Sequence, residues 1–81
     1  MTRLMGRVVI HQSTSVLKYY LLGSRREGYS ISILLQKANG DLVSTCENIT
    51  RSTISARSLC NKLTRGIVFP EQLAEIVADH A

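Results

Sequence analysis

The chain has 81 residues, 44% of them hydrophobic and 20% charged, and a formal net charge of +4 at pH 7. This composition excludes an intrinsically disordered chain and is typical of one small globular domain, which we expect to span residues 1–81. No apolar run approaches the roughly 20 residues of a membrane-spanning helix, and the basic N-terminus lacks the long apolar core of a signal peptide. We therefore expect a cytoplasmic protein.

Four β-strands are predicted, at about residues 6–11, 16–22, 29–37 and 41–49. The residues before the first strand are expected to be partly frayed. The second strand has apolar residues on both faces, which indicates a central position and leaves open which face meets the helices. The third strand is the clearest, because apolar residues occupy every second position from Tyr29 to Leu35.

The dipeptide Asn39-Gly40 is the strongest turn signal in the chain. Both residues tolerate the positive φ that a two-residue type I′ hairpin turn requires. Such a turn sets the register between the third and fourth strands. The predicted pairs are Ala38 with Asp41, Leu35 with Ser44, and Ile33 with Cys46.

Two helices are predicted after the strands, at about residues 53–65 and 70–80. The first has an apolar stripe, formed by Ala56, Leu59, Cys60 and Leu63. Ser52 is the expected N-cap, and Gly66 is expected to end this helix in the left-handed conformation. Pro70 suits the first position of the second helix, where its missing N–H is not needed.

The segment between the helices is also apolar. Ile67 and Val68 do not suit a free loop, and we expect both to be tucked under the sheet. Cys46 and Cys60 are expected to be free thiols at core-facing positions. Together the elements predict an α+β fold, an antiparallel β-meander of three to four strands followed by a C-terminal αα-hairpin packed on one face.

Four segments carry a recognisable pattern. They are Tyr19-Tyr20-Leu21-Leu22, Gly28-Tyr29-Ser30-Ile31, Glu47-Asn48-Ile49-Thr50, and Val68-Phe69-Pro70-Glu71-Gln72-Leu73 running to Ile76-Val77. Over about residues 16–80 the chain resembles a family of small uncharacterised bacterial proteins, mostly from Firmicutes, with a domain of unknown function. The first helix is basic here and tends to be acidic in those relatives, and Gln72 stands where the family has a His. The resemblance implies no known activity.

The cations are unevenly placed. Between Glu47 and Glu71 the chain has no acidic residue, and its cations there lie away from the apolar stripe of the first helix. Clustered cations bind phosphate backbones through counterion release. One hypothesis is therefore a nucleic-acid-binding accessory protein that uses the first helix and the loop at residues 23–28, whereas the alternative is a solvated outer face. The candidate contacts are Arg25, Arg26, Arg57, Lys62 and Arg65.

The leading hypothesis is a partner surface. Leu34 and Val43 interrupt an otherwise polar face of the sheet, and acidic residues repeat every four positions on the second helix. The candidate surface consists of Leu34, Val43, Glu71, Glu75 and Asp79. The predicted function is a small non-enzymatic protein-interaction module that associates with itself or with another protein. Burial of leftover apolar surface would hold the partner, and the charged helices would orient it.

No catalytic residue, metal site or cofactor is predicted. His11 stands at a strand end without Asp, Glu or Cys close in sequence, and the two histidines lie near opposite ends of the chain. The glycines occur singly, so the sequence has no phosphate-cradling loop. We therefore do not expect an enzyme.

Overall fold

The computed structural model describes residues 2–80, without the side chain of residue 80. Its elements are β1 (Thr2–Ile10), β2 (Ser15–Ser24), β3 (Gly28–Lys37), β4 (Gly40–Thr50), α1 (Thr53–Arg65), a 3-10 helix (Pro70–Gln72) and α2 (Leu73–His80). The strands form one antiparallel sheet in the order β1-β2-β3-β4, and the helices follow it. The predicted α+β class and the antiparallel meander are confirmed, with four strands.

Strand β1 is longer at its start than the sequence indicated. It begins at Thr2, whereas we expected the first residues to fray. The reason is the length of β2, which supplies partners for the extra residues: Thr2 pairs with Leu22 and Leu4 with Tyr20. The ladder shifts register between Leu4 and Gly6, so that Gly6 pairs with Tyr19.

The register of the β3–β4 hairpin differs from the prediction by two residues. Lys37 pairs with Gly40, and Gly40, not Asn39, has a positive φ. The prediction of a type I′ turn at Asn39-Gly40 is therefore wrong. Such a turn requires a positive φ at both residues, whereas only Gly40 has one, and the turn lies one residue earlier. The observed pairs are Leu35 with Leu42, Ile33 with Ser44, and Ile31 with Cys46. Since the shift is even, every β4 residue keeps its predicted face.

One face of the sheet forms part of the core. Buried side chains alternate with less buried ones along the two central strands, β2 and β3, and they identify this face. The buried residues of this core are Leu17, Tyr19, Leu21, Ile31, Ile33, Leu35, Ala56, Leu59, Cys60, Leu63, Val68 and Leu73. The odd-numbered positions of β2 and β3 therefore meet the buried stripe of α1. Helix α1 contacts chiefly β1 and β2, whereas α2 contacts β4.

Two contacts set the position of α1 on the sheet. The Tyr19 hydroxyl donates a hydrogen bond of 3.0 Å to the Val68 carbonyl and is buried in doing so. At Gly6 a Cβ would overlap the side chain of Thr64, so α1 approaches β1 more closely than any larger residue allows. Cys60 is buried and Cys46 half-buried, and both are free thiols.

The ends of α1 show one expected cap and one unexpected one. The Ser52 side chain accepts a hydrogen bond from the Ser55 N–H at 3.2 Å, as an N-cap does. At the other end Gly66 is in the right-handed region, and Ile67 has the left-handed φ of 51°. The Val68 N–H donates to the Leu63 carbonyl, which makes this a Schellman motif with Ile67 in the usual glycine position.

This geometry also separates the two apolar residues that we expected to be buried together. Val68 is buried, whereas Ile67 is 47% exposed. The left-handed turn at Ile67 directs Val68 into the core, and it leaves a β-branched side chain in a backbone conformation that such residues disfavour.

We predict that Ile67→Gly raises the free energy of unfolding by about 1 kcal/mol, because glycine adopts the left-handed conformation without strain. Urea denaturation measures this change. Gly66→Ala is the control: Gly66 has a φ of −80°, which alanine adopts, and the added Cβ would lie 3.3 Å from the Lys62 carbonyl oxygen, so no gain in stability is expected there. A loss of stability in Ile67→Gly would contradict the assignment of strain to this residue.

Stability is also predicted to fall at alkaline pH. Burial raises the pKa of Tyr19 to about 12 and that of Cys60 to about 11. The unfolded chain releases both protons at lower pH than the folded protein does. The two raised pKa values therefore stabilise the folded protein fully below about pH 9. This contribution, about 2–3 kcal/mol for each group, is lost as the pH rises toward 12.

Urea denaturation between pH 8 and pH 11.5, a range chosen to span these ionisations, tests this expectation. Cys60→Ala and Tyr19→Phe should each flatten the decline, and Tyr20→Phe is the control that removes a hydroxyl from the other face of the sheet. An unchanged decline in both buried variants would show that other groups cause it.

Candidate interaction surface

The second face of the sheet is not covered by either helix. Because paired residues share a face, the register assigns to it Thr2, Leu4, Arg7, Val9, Val16, Lys18, Tyr20, Leu22, Ser30, Ser32, Leu34, Gln36, Asp41, Val43 and Thr45. We call these residues the open face. Nearly half of them are apolar or aromatic, which is unusual for a sheet face that remains in water.

The apolar part of the open face runs across all four strands. Leu34 and Val43 are cross-strand partners, and Lys18 pairs with Leu34 on the other side. Val43 is 65% exposed and Leu4 48%, so the exposed apolar side chains reach both edge strands. The sequence predicted that Leu34 and Val43 belong to one surface, and the structure places them side by side.

The polar residues in the middle of this face satisfy one another. The hydroxyls of Ser32 and Thr45 are 2.9 Å apart and share a hydrogen bond. The Ser30 hydroxyl accepts from the backbone N–H of Asn48 at 3.2 Å. A partner can therefore cover these three hydroxyls without leaving any of them wholly without a hydrogen bond, which lowers the cost of removing them from water.

Charges on the open face are divided between its two sides. Arg7 on β1 and Lys18 on β2 are paired neighbours, whereas Asp41 lies on β4. Glu47, one residue after the core-facing Cys46, adds a second carboxylate on β4. One side of the face is thus basic and the opposite side acidic.

The predicted acidic residues do not all join this face. Glu71 lies in the 3-10 helix, and with Val43 and Pro70 it lines a shallow cleft along the edge of β4. Glu75 and Asp79 are exposed on α2, on the helix side of the sheet. The structure therefore brings Glu71 close to Val43 and keeps the other two carboxylates away from the open face.

The predicted basic residues gather around α1. Arg57, Lys62 and Arg65 line one cleft on its outer face, and Arg25 lines a neighbouring cleft with Arg51. Arg26 is exposed and is not among the lining residues. The predicted contacts omitted Arg51 and Arg3. Arg3 lines the same cleft as Arg57 because the start of β1 runs past α1, and no local pattern predicts that arrangement.

Two general features complete the description. Among residues 2–80, no group of three or more His, Cys, Asp or Glu side chains is arranged to hold a metal ion. In the same part of the chain, neither helix has the length and apolar character needed to cross a bilayer.

Comparison with known proteins identifies a family but no activity. The model of a family of unknown function, DUF6514, matches residues 4–81. No curated protein and no solved structure matches the chain.

Proposed function

We propose that this protein, which belongs to the DUF6514 family, is a small non-enzymatic interaction module of the bacterial cytoplasm that self-associates through its open face. The two C-terminal helices, as a hairpin, would cover one side of the sheet, and a second copy would cover the other. The observation that carries the proposal is the apolar cross-strand pair of half-buried Leu34 on β3 and exposed Val43 on the edge strand β4, on a sheet face that neither helix covers.

The size of the open face suits a reversible dimer. With strands about 4.8 Å apart and a rise of about 3.3 Å per residue, four strands of about ten residues present roughly 600 Å². Two copies would bury roughly 1,200 Å² in total, which is near the lower limit for specific protein interfaces. Association is therefore expected to depend on protein concentration.

The division of charge favours a second copy over an unrelated partner. A two-fold axis parallel to the strands places β1 of one copy over β4 of the other. Arg7 then lies opposite Val43 of the second copy, and its long side chain can reach Asp41, which is two residues, or about 7 Å, further along the same strand. The same contact occurs twice because the interface is symmetric. A two-fold axis perpendicular to the strands would instead place the basic sides opposite each other and oppose association.

We predict that Val43→Glu prevents self-association and leaves the monomer folded. Val43 is 65% exposed, so its replacement removes little core packing, whereas a buried carboxylate without a partner opposes the dimer. Leu34→Glu should have the same effect. The measurement is solution mass by light scattering over a concentration series, with circular dichroism and the urea midpoint as checks on folding.

Ile54→Glu is the matched control. Ile54 is 83% exposed on α1 and undergoes the same change of side chain on the other side of the sheet, so this variant should associate like the unchanged protein. A protein that stays monomeric at all concentrations, or a Val43→Glu variant that still dimerises, would contradict the proposal. A complex with a different protein through Leu34 and Val43 would replace the second copy as the partner.

A charge exchange tests the orientation of the dimer. Arg7→Glu and Asp41→Arg should each weaken the dimer several-fold, because each single change places like charges together at two symmetric positions. The double variant should recover most of the affinity. Failure of the double variant to recover, with both single variants weakened, would exclude the axis parallel to the strands.

A further inference from the structure

Three adjoining clefts surround the start and the outer face of α1. The first, of about 220 Å³, lies between α1 and the ends of β1 and β2 and is lined by Arg3 and Arg57. The second is lined by Arg25 and Arg51, and the third by Arg57 with Lys62 and Arg65. Thr53, Ile54 and Arg57 are each shared between two of the clefts, so the three form one continuous surface.

This surface concentrates the positive charge of the molecule. It holds six of the chain's 10 Lys and Arg residues, namely Arg3, Arg25, Arg51, Arg57, Lys62 and Arg65, and we call these six the basic surface. No acidic residue lines any of its three clefts. The cations come from β1, from two loops and from α1, so the tertiary fold and not one local run assembles them.

We propose that the basic surface binds the phosphate backbone of a nucleic acid. This site is separate from the open face and goes beyond the proposed self-association. Three of the six cations lie on α1, and the other three surround its start. The 13 residues of this helix span about 20 Å, and one strand of duplex places about six phosphates along that length, so one backbone can pass both groups of cations. Binding of this kind needs no sequence-specific contact.

Neutral groups in the clefts suit the same ligand. The hydroxyls of Tyr29 and Thr53 are 2.7 Å apart in the first cleft and Ser24 lies beside them, and such hydroxyls commonly donate to phosphate oxygens. Ile54, which is 83% exposed, lies where the second and third clefts meet and offers an apolar contact to a sugar or base.

An acidic polypeptide fits this surface less well. Recognition of a helix or an extended peptide uses several apolar anchors in a groove or an exposed strand edge. The two clefts on the outside of α1 offer only Ile54 as a large apolar side chain. A phosphate backbone needs cations and neutral donors, and those are what the lining residues provide.

The test is fluorescence anisotropy with a labelled mixed-sequence 20-base-pair duplex and its single strand, at several salt concentrations. We expect binding at low salt and, if all six cations contact phosphates, a loss of affinity of about a thousandfold for the duplex between 50 and 200 mM salt. The slope for the single strand should be shallower. No binding at 50 mM salt would overturn the proposal.

Variants that remove positive charge locate the contact. Arg57→Gln combined with Arg65→Gln should lower affinity at least tenfold at low salt and reduce the salt dependence by about two phosphate contacts. Lys37→Glu makes the same change in net charge at a residue outside both the basic surface and the open face, and affinity should stay within about twofold. An equal loss in this control would show only a general charge effect and would overturn the site.

Two further arms separate this proposal from its rivals. Poly-glutamate that displaces the duplex as well as unlabelled DNA does would assign the surface to acidic polypeptides and overturn the nucleic-acid assignment. Val43→Glu, which carries the test of self-association, should retain duplex binding through each monomer. The nucleic-acid proposal is therefore unaffected if only self-association fails. The self-association proposal is likewise unaffected if only nucleic-acid binding fails.

Discussion

The hydrogen bond from the Tyr19 hydroxyl to the Val68 carbonyl is the contact on which the arrangement of the molecule depends. It joins the middle of the central strand β2 to the segment between the helices, 49 residues later in the chain. Both groups are buried, so losing this bond would leave a carbonyl unpaired in the core, which costs about 1–3 kcal/mol. The left-handed turn at Ile67 brings Val68 to this position, and Gly6 lets α1 lie close enough to β1 for the core to close. The same bond ties the segment between the helices to the core face of the sheet.

Covering one face produces two separate surfaces on opposite sides of a small protein. The open face has apolar residues across four strands and satisfied hydroxyls between them, which suits contact with another protein surface. The basic surface has cations around shallow clefts and suits a charged, hydrated ligand. In a dimer formed through the open faces, α1 of each copy would point outward. Both basic surfaces would then remain accessible, and the dimer would present two of them to the same polyanion.

Much of the fold was predictable because short-range patterns carry it. The alternation in β3 and the apolar stripe of α1 each follow from a repeat within a few residues, and Ser52 follows from the chemistry of helix ends. The hairpin register was harder to predict. A type I′ turn at Asn39-Gly40 requires a positive φ at both residues, but only Gly40 adopts one, so the chain turns one residue earlier. The prediction that Gly66 ends α1 in the left-handed conformation was also wrong, because a glycine next to a helix end permits that conformation but does not require it. Arg3 was missed at the basic surface because its proximity to Arg57 depends on how β1 passes α1.

By itself the sequence determined the four strands and two helices, the pairing of neighbouring strands and the membership of Leu34 and Val43 in one face, since periodicity within an element sets the direction of its side chains. Only the tertiary structure decided which face of the sheet is covered. Both faces of β2 carry apolar residues, so local pattern favours neither, and the choice depends on long-range contacts such as the one between Tyr19 and Val68. The structure likewise decided that the acidic residues of α2 lie away from Leu34 and that cations from separate elements share one surface. Charge patterns along the chain show how many ionic groups exist, and the packing of the elements decides which of them meet.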